Sequence, residues 1–196
     1  GRPLALERLD KNAPAILNMW MPGTEGGNAA ANLVFGRTVP SGKLTMSFPY
    51  TVGQCPIYYN HYNTGRPKPE TDERVTYTSS YIDVPNRPLY PFGYGLSYTS
   101  FDYGKPSIKN QKISSKDCLT ASISITNTGD MDGEEIIQYY VSSPVWNDLH
   151  RKLVAFKRVS IPKGETVEVS LDIPTSRLRR WSESQKTWQI IPGEYE

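Results

Sequence analysis

Apolar and polar residues alternate along several stretches in the second half of the chain. From residue 119 to 126, and again from 167 to 173, every second residue is apolar. This period is typical of a strand that buries one face. Apolar runs at 135–141 and 153–161 predict two more strands, and turn residues such as Asn, Asp, Gly and Pro separate the four stretches. Residues 106–196 are therefore predicted to form an all-β, immunoglobulin-like sandwich.

The last residues predict a hairpin followed by the beginning of a strand. Trp181 and Trp188 flank the polar stretch 182–187, which is typical of a hairpin tip. A Pro-Gly turn follows, and residues 194–196 then begin a strand that we expect to be truncated. The chain also opens without Met and without a helix or strand signal. We therefore expect residues to be missing at both ends.

Residues 1–48 have a different pattern, which predicts an α/β arrangement. The apolar run at 15–20 predicts a buried strand, and the alternation at 43–48 predicts a second one. Between them, residues 29–35 suit a short helix, with Thr24 or Asn28 as its N-cap and Gly36 at its C-terminal end. One strand–helix–strand unit is too small to be a domain. It is interpreted as an α/β remnant, the end of a larger α/β sandwich domain.

Residues 49–105 contain most of the thirteen tyrosines together with many prolines, and they have no sustained period. Aromatic side chains at this density are rarely left in solvent. The segment is therefore predicted to be an ordered interdomain stretch that packs along the surfaces of two domains.

Composition and charge exclude several classes of function. The net charge is only +2, and the basic residues are scattered, so nothing indicates a nucleic-acid partner. No run of apolar residues is long enough to predict a membrane span. The two cysteines, Cys55 and Cys118, form neither a metal-binding nor a redox motif. A disulfide between them is left open.

Several short motifs resemble glycoside hydrolase family 3 and occur in the family's order. They are MPGTEGGNA at 21–29, LVFG at 33–36, PSGKL at 40–44, PIYYNH at 56–61, NTGRP at 63–67, LYPFGYGLSY at 89–98, ITNTG at 125–129, LVAFKRV at 153–159 and PKGET at 162–166. The first three resemble the late part of the family's second domain, and the last three resemble its fibronectin-III-like domain. The NTGRP motif is similar to the periplasmic β-glucosidase branch. The chain is identified as a member of this family.

The resemblance implies a parent enzyme of three parts: a (β/α)8 barrel, an α/β sandwich and a fibronectin-III-like domain. This chain would supply residues 1–48 to the second part and residues 106–196 to the third. The parent would be an exo-acting, retaining β-glucosidase that removes terminal β-linked glucose from oligosaccharides or from aryl and alkyl glucosides. Its periplasmic or secreted location is implied by the branch alone. No metal or organic cofactor is implied, and the missing N-terminal domains would be the chain's partners.

Retaining hydrolysis needs two carboxyl groups, a nucleophile and an acid/base. The resemblance places the nucleophilic Asp and the acid/base Glu upstream of this chain, so no catalytic residue is assigned here. Glu25 is a candidate catalytic carboxyl within the chain, because it follows a predicted strand in a Gly-rich turn. The favoured interpretation of Glu25 is structural, since a carboxylate at a helix N-terminus is stabilised by exposed N–H groups.

Three side chains are candidates for the rim of a substrate site. Trp146 lies in a loop within 144–148, where an exposed Trp would be uncommon, and His61 and Tyr62 lie in the tyrosine-rich segment. The tyrosine run could stack against sugars, although packing is the favoured interpretation. This run consists of Tyr58, Tyr59, Tyr62, Tyr77, Tyr81, Tyr90, Tyr94 and Tyr98. The alternative to an enzyme segment is a non-catalytic carbohydrate-binding or adhesion sandwich, which the α/β remnant disfavours.

Overall fold

The computed structural model describes residues 2–69, 71, 73, 75–146 and 151–196. These residues form two compact units. The first contains residues 2–38 and 42–96, and the second contains residues 39–41, 97–146 and 151–196.

The first unit contains two short helices, α1 (Glu7–Asn12) and α2 (Gly26–Val34). The sequence pattern did not reveal α1, because six residues are too few to show a helical period. An ion pair between Lys11 and Glu7, 2.7 Å long, bridges one turn of this helix.

The predicted helix after residue 24 is confirmed, although its limits differ. Helix α2 begins at Gly26, earlier than the prediction, and its N-cap is Glu25 and not Thr24 or Asn28. A Cβ atom at Gly26 would lie 2.6 Å from Cγ of Pro22, so only glycine allows the helix to begin there. Gly36 has φ +67°, which confirms the predicted left-handed residue at the end of the helix.

The prediction of two strands in the first unit, at 15–20 and 43–48, is wrong, because neither stretch forms a regular strand. Residues 15–19 belong to no helix or strand and have no strand partner among the described residues, and most of them are exposed. An extended segment becomes a strand only when a neighbour accepts and donates its backbone hydrogen bonds. Residues 43–48 bend at Thr45 and Met46, so that only Phe48 forms a bridge, with Tyr90.

The tyrosine-rich segment is held in place by one buried amide side chain. Gln54 ends a short 3₁₀ turn, Val52–Gln54, and its Oε1 accepts a 2.6 Å hydrogen bond from the Tyr50 amide. Its Nε2 donates to the carbonyl oxygens of Pro85 at 2.7 Å and Arg87 at 3.3 Å. These bonds join two distant parts of the segment. Side-chain bonds of this kind order a stretch that has almost no regular secondary structure.

The second unit is built from strands and one short 3₁₀ turn. The strands are β1 (Phe101–Tyr103), β2 (Ser107–Ile108), β3 (Cys118–Asn127), β4 (Gly133–Val141), β5 (Lys152–Ile161), β6 (Thr166–Pro174), β7 (Arg180–Ser182) and β8 (Thr187–Gln189). The 3₁₀ turn is Thr175–Leu178. All four strands predicted from apolar patterns are confirmed, as β3 to β6, and so is the hairpin, as β7 and β8.

Two sheets face each other in this unit. In the first, β3 pairs with β6 along one edge and with β1 and β2 along the other; in the second, β4 pairs with β5. All these pairs are antiparallel. The shared core contains Ile125 and Val169 from the first sheet, and Ile137 and Ile161 from the second. A core supplied by both sheets is what a β-sandwich requires.

Asn127, at the end of β3, is completely buried and all its polar groups are bonded. Its Oδ1 accepts hydrogen bonds from Thr99 Oγ1 at 2.7 Å and the Gly129 amide at 3.2 Å. Its Nδ2 donates to the carbonyl oxygens of Met131 at 2.8 Å and Ile161 at 2.9 Å. Asn127 therefore joins the entry to β1, the turn after β3 and the end of β5.

We expect Asn127→Ala to lower the free energy of unfolding of the chain by about 3 kcal/mol, because it leaves several buried polar groups without partners. Urea unfolding followed by tryptophan fluorescence measures this, since Trp146 lies in the same unit. The matched control is Asn110→Ala, an exposed loop position, for which a change within about 0.5 kcal/mol is expected. Equal effects of the two substitutions would contradict the role given to Asn127.

Candidate functional residues

Glu25 lies where the structural interpretation placed it, at the N-cap of α2. Its side chain is exposed, and its Oε2 accepts a 2.6 Å hydrogen bond from Asn28 Nδ2. A general acid for glycoside hydrolysis needs a raised pKa, which burial usually provides. The exposed Glu25 carboxylate instead bonds to the first turn of α2 through the Asn28 side chain, near the positive end of the helix.

His61 and Tyr62 are both exposed in the first unit. The ring nitrogen Nδ1 of His61 lies 3.3 Å from the Tyr62 carbonyl oxygen. Both side chains are therefore accessible within their own unit, as a rim position requires. Their contact with a substrate stays a prediction.

Several of the tyrosines pack against other aromatic rings of the first unit. Tyr59 stacks on Phe92 with ring centroids 4.3 Å apart, and Tyr90 stacks on Tyr94 at 5.4 Å. The edge of Tyr90 also faces Phe48, which is buried. These three tyrosines of the run serve packing. Tyr58, Tyr62 and Tyr77 are well exposed, and Tyr77 also has a positive φ of 62°.

Tyr90 also connects the tyrosine-rich segment to α1. Its hydroxyl donates a short hydrogen bond to Oδ1 of Asp10. This bond, then partial burial, and then the charge of Asp10 raise the pKa of Tyr90 to about 12. The neutral phenol is therefore the form that the fold stabilises.

Trp146 is not the exposed loop side chain that was expected, since only 3% of it is accessible. Its ring packs edge-on against Tyr195 at 5.5 Å, and the Arg180 guanidinium lies 5.8 Å above it. An aromatic ring with a cation on its face is a stabilising packing arrangement. Trp146 is thus part of the interior of the second unit. The neighbouring residues 147 and 148 lie outside the described residues.

Glu135 is a buried carboxyl that the sequence analysis did not single out. It lies on β4 and faces the same side as the core residue Ile137. Burial, the charge of Glu135 and a hydrogen bond to it raise the pKa of Tyr103 on β1. The pair therefore bridges the two sheets with a polar contact. No signal in the sequence distinguished Glu135 from the surface residue Glu134 beside it.

The candidate metal ligands and the two cysteines lie apart from one another in the part of the chain that the structure describes. Within that part of the chain, no group of three or more His, Cys, Asp or Glu side chains is arranged to hold a metal ion. Cys55 and Cys118 are both exposed and free, so the disulfide left open above is not formed.

A family model described as the glycosyl hydrolase family 3 C-terminal domain matches residues 1–98, which is half of the chain. The chain belongs to glycosyl hydrolase family 3. A second model, described as a fibronectin type III-like domain, matches residues 135–196. The predicted fold class is confirmed: the end of an α/β domain is followed by a fibronectin-III-like sandwich.

Relatives within family 3 resemble the chain over its whole length. It is 44% identical to the periplasmic beta-glucosidase of Salmonella typhimurium and 39% identical to a beta-xylosidase of Formosa agariphila, with all of this chain covered in both. A crystal structure of a beta-glucosidase from Listeria innocua matches 99% of the chain with a TM-score of 0.90 and 37% identity. The chain spans about a quarter of these proteins, 26% of the two relatives and 27% of the solved structure.

The Asp10–Tyr90 bond predicts a specific pH dependence. Because the folded-state pKa of Tyr90 lies above the ordinary value of 10.0, its contribution to stability is complete below pH 10 and is lost as the pH rises towards about 12. Ultraviolet absorbance of tyrosinate, taken as the difference between the wild type and Tyr90→Phe, isolates this titration. Asp10→Asn should move the midpoint down towards 10. An unchanged midpoint would show that Asp10 does not hold the phenol proton.

Proposed function

We propose that this chain is the C-terminal part of an exo-acting, retaining β-glucosidase of family 3. The observation that carries the proposal is the 44% identity, over the entire chain, to a periplasmic beta-glucosidase. The matching Listeria innocua enzyme has also been crystallised with glucose and, as a mutant, with laminaribiose. The substrate of the parent enzyme is therefore a β-linked gluco-oligosaccharide or a simple glucoside.

Within that enzyme the chain has a structural role. Glu25 lies exposed at the N-terminus of α2 and Trp146 packs in the interior of the second unit, which supports a structural role for both. The nucleophilic Asp and the acid/base Glu belong to the rest of the polypeptide. The short segment Val39–Ser41 folds with the second unit, although residues on both sides of it fold with the first. Ser41 Oγ accepts a 2.9 Å hydrogen bond from Arg158 on β5, which holds this segment.

We propose the domain limits of the sequence interpretation: 1–48 for the end of the α/β domain, 49–105 for the interdomain segment and 106–196 for the sandwich. Strand β1 (Phe101–Tyr103) already pairs with β3, so the sandwich sheet takes in residues ahead of 106. The idea of a last strand that begins at residue 194 is supported by two backbone hydrogen bonds. Ser142 and Glu196 exchange both of their amide–carbonyl bonds at 2.9 Å, as neighbouring antiparallel strands do.

We propose that the parent enzyme acts in the periplasm or outside the cell, which is supported by the name of the Salmonella typhimurium relative, a periplasmic beta-glucosidase. Neither helix in the described ranges combines the length and the apolar character that crossing a bilayer requires.

Hydrolysis of β-xylosides is a second candidate, because the Formosa agariphila relative at 39% identity is named a beta-xylosidase. Glucose and xylose differ by one hydroxymethyl group. The two activities are separated by comparing aryl β-glucoside with aryl β-xyloside as substrates of the same preparation.

The direct test is the hydrolysis of these two substrates by the complete polypeptide and by residues 1–196 alone. We expect the complete polypeptide to prefer the glucoside and the chain alone to be inactive, because both carboxyls are outside it. Glu25→Gln in the complete polypeptide should retain kcat/KM within about threefold. Loss of a catalytic carboxyl would instead reduce the rate by about 10²-fold or more.

The matched control for Glu25→Gln is Glu183→Gln, a carboxyl paired with Lys186 at the tip of the β7–β8 hairpin. A large loss for Glu25→Gln with full activity for Glu183→Gln would contradict the structural role of Glu25. Activity of the 196-residue chain by itself would contradict the proposal as a whole.

Exposed apolar residues on the first unit predict that the missing domains cover it. Phe35 is 76% exposed at the end of α2, next to the exposed Val34, and Met21 is also exposed. Such clusters are usually interaction surfaces. Phe35→Ser should therefore reduce self-association of the isolated chain, yet lower the melting temperature of the complete polypeptide.

Light scattering measures the first effect of Phe35→Ser and calorimetry the second. Phe156→Ser, at an exposed position on β5, is the matched control and should leave the melting temperature of the complete polypeptide unchanged. If Phe35→Ser also has no effect there, the first unit does not use this surface to bind the missing domains.

A further inference from the structure

The hairpin of β7 and β8 has its aromatic residues on the outside and a charged residue on the inside. The Arg180 guanidinium lies over the ring of the buried Trp146, so Arg180 faces the interior of the second unit. Successive residues of a strand point to opposite faces. Trp181 therefore points outwards. Trp188 is its direct cross-strand partner and shares that outer face.

The two tryptophan rings are accessible and are held in a fixed relation. Trp181 is 44% exposed and Trp188 is 60% exposed. Their ring centroids lie 5.8 Å apart with an interplanar angle of 67°, an edge-to-face contact. Such a contact occupies one face of only one ring. Ring surface remains available for a ligand, and the hairpin backbone fixes its orientation.

The surroundings of the pair are polar. The hairpin tip contains an ion pair between Lys186 and Glu183, 2.7 Å long, and a hydrogen bond between the hydroxyls of Ser182 and Ser184 at 3.2 Å. Polar groups of the hairpin loop therefore follow the aromatic pair directly along the chain. This combination matches a ligand with an apolar face and a polar edge.

The size of the surface favours a small ligand over a protein. The exposed fractions of the two side chains amount to roughly 250 Å², if one tryptophan offers about 250 Å². A stable protein interface buries about 800 Å² on each partner. A second copy of the chain would need much more surface than the pair offers, whereas one or two pyranose rings would cover the pair.

We propose that Trp181 and Trp188 form a carbohydrate-binding site for β-linked glucan. In β-glucose every hydroxyl is equatorial, so both faces of the ring present C–H bonds to the electron-rich face of an indole. The sugar class rests on the proposed function. The site itself rests on the outward aromatic pair. It would retain an oligosaccharide near the enzyme without taking part in bond cleavage.

The test uses the complete polypeptide in two assays. Electrophoresis through gels that contain laminarin, a soluble β-glucan, reports glucan binding, and hydrolysis of an aryl β-glucoside reports the catalytic centre. Trp188→Ala should raise the Kd for laminarin about tenfold, and Trp181→Ala somewhat less, because loss of one aromatic stacking contact is worth about that factor. Aryl β-glucoside kcat/KM should stay within twofold. Trp188→Tyr should retain most of the binding.

The matched control is Phe156→Ala, which removes a similarly exposed aromatic ring from β5 and should leave laminarin binding unchanged. Oxidation by N-bromosuccinimide, mapped by peptide analysis, gives a second measurement on the unsubstituted protein: laminarin should protect Trp181 and Trp188 but not Trp20. Equal laminarin binding by the wild type and the Trp181→Ala/Trp188→Ala variant, or no protection, would overturn this proposal and leave the hydrolase assignment intact. Absence of aryl β-glucosidase activity in the wild type would instead overturn the proposed function.

Discussion

The side chain of Asn127 is the constraint on which the second unit depends. It is inaccessible to solvent, and its two polar atoms bond to Thr99, Gly129, Met131 and Ile161. These partners belong to segments that are far apart in the sequence. Because a buried amide without partners is costly, the bonds fix how the turn after β3, the end of β5 and the entry to β1 meet. The sheets then pack their apolar faces over that fixed corner.

A buried amide has the same role in the first unit, where Gln54 ties together a segment that lacks strands and long helices. Both units thus rely on side-chain bonds at places where regular backbone pairing ends. This construction suits a part of an enzyme that holds other domains in position. A supporting segment needs defined surfaces and does not need ionisable groups tuned for chemistry.

The sequence revealed the sandwich because burial on one face of a strand imposes a period of two, and β3 to β6 follow it. The sequence did not reveal strand pairing or side-chain burial that depends on residues far away in the chain. Residues 15–20 look like a strand, but strand formation requires a neighbour that the described residues do not provide. Asn127 looks like an ordinary turn residue, and Trp146 like a loop residue. Their burial is decided by Ile161, Arg180 and Tyr195, which follow much later in the chain.

We propose that this chain supports a retaining glycosidase without supplying its nucleophile. A fluorinated glucoside that traps the covalent glycosyl–enzyme intermediate tests this directly, because it labels the nucleophilic carboxylate itself. Peptide mapping of the labelled complete polypeptide should locate the modified Asp outside residues 1–196. A labelled carboxylate within the chain, whether Glu25, Glu135 or another, would contradict the account.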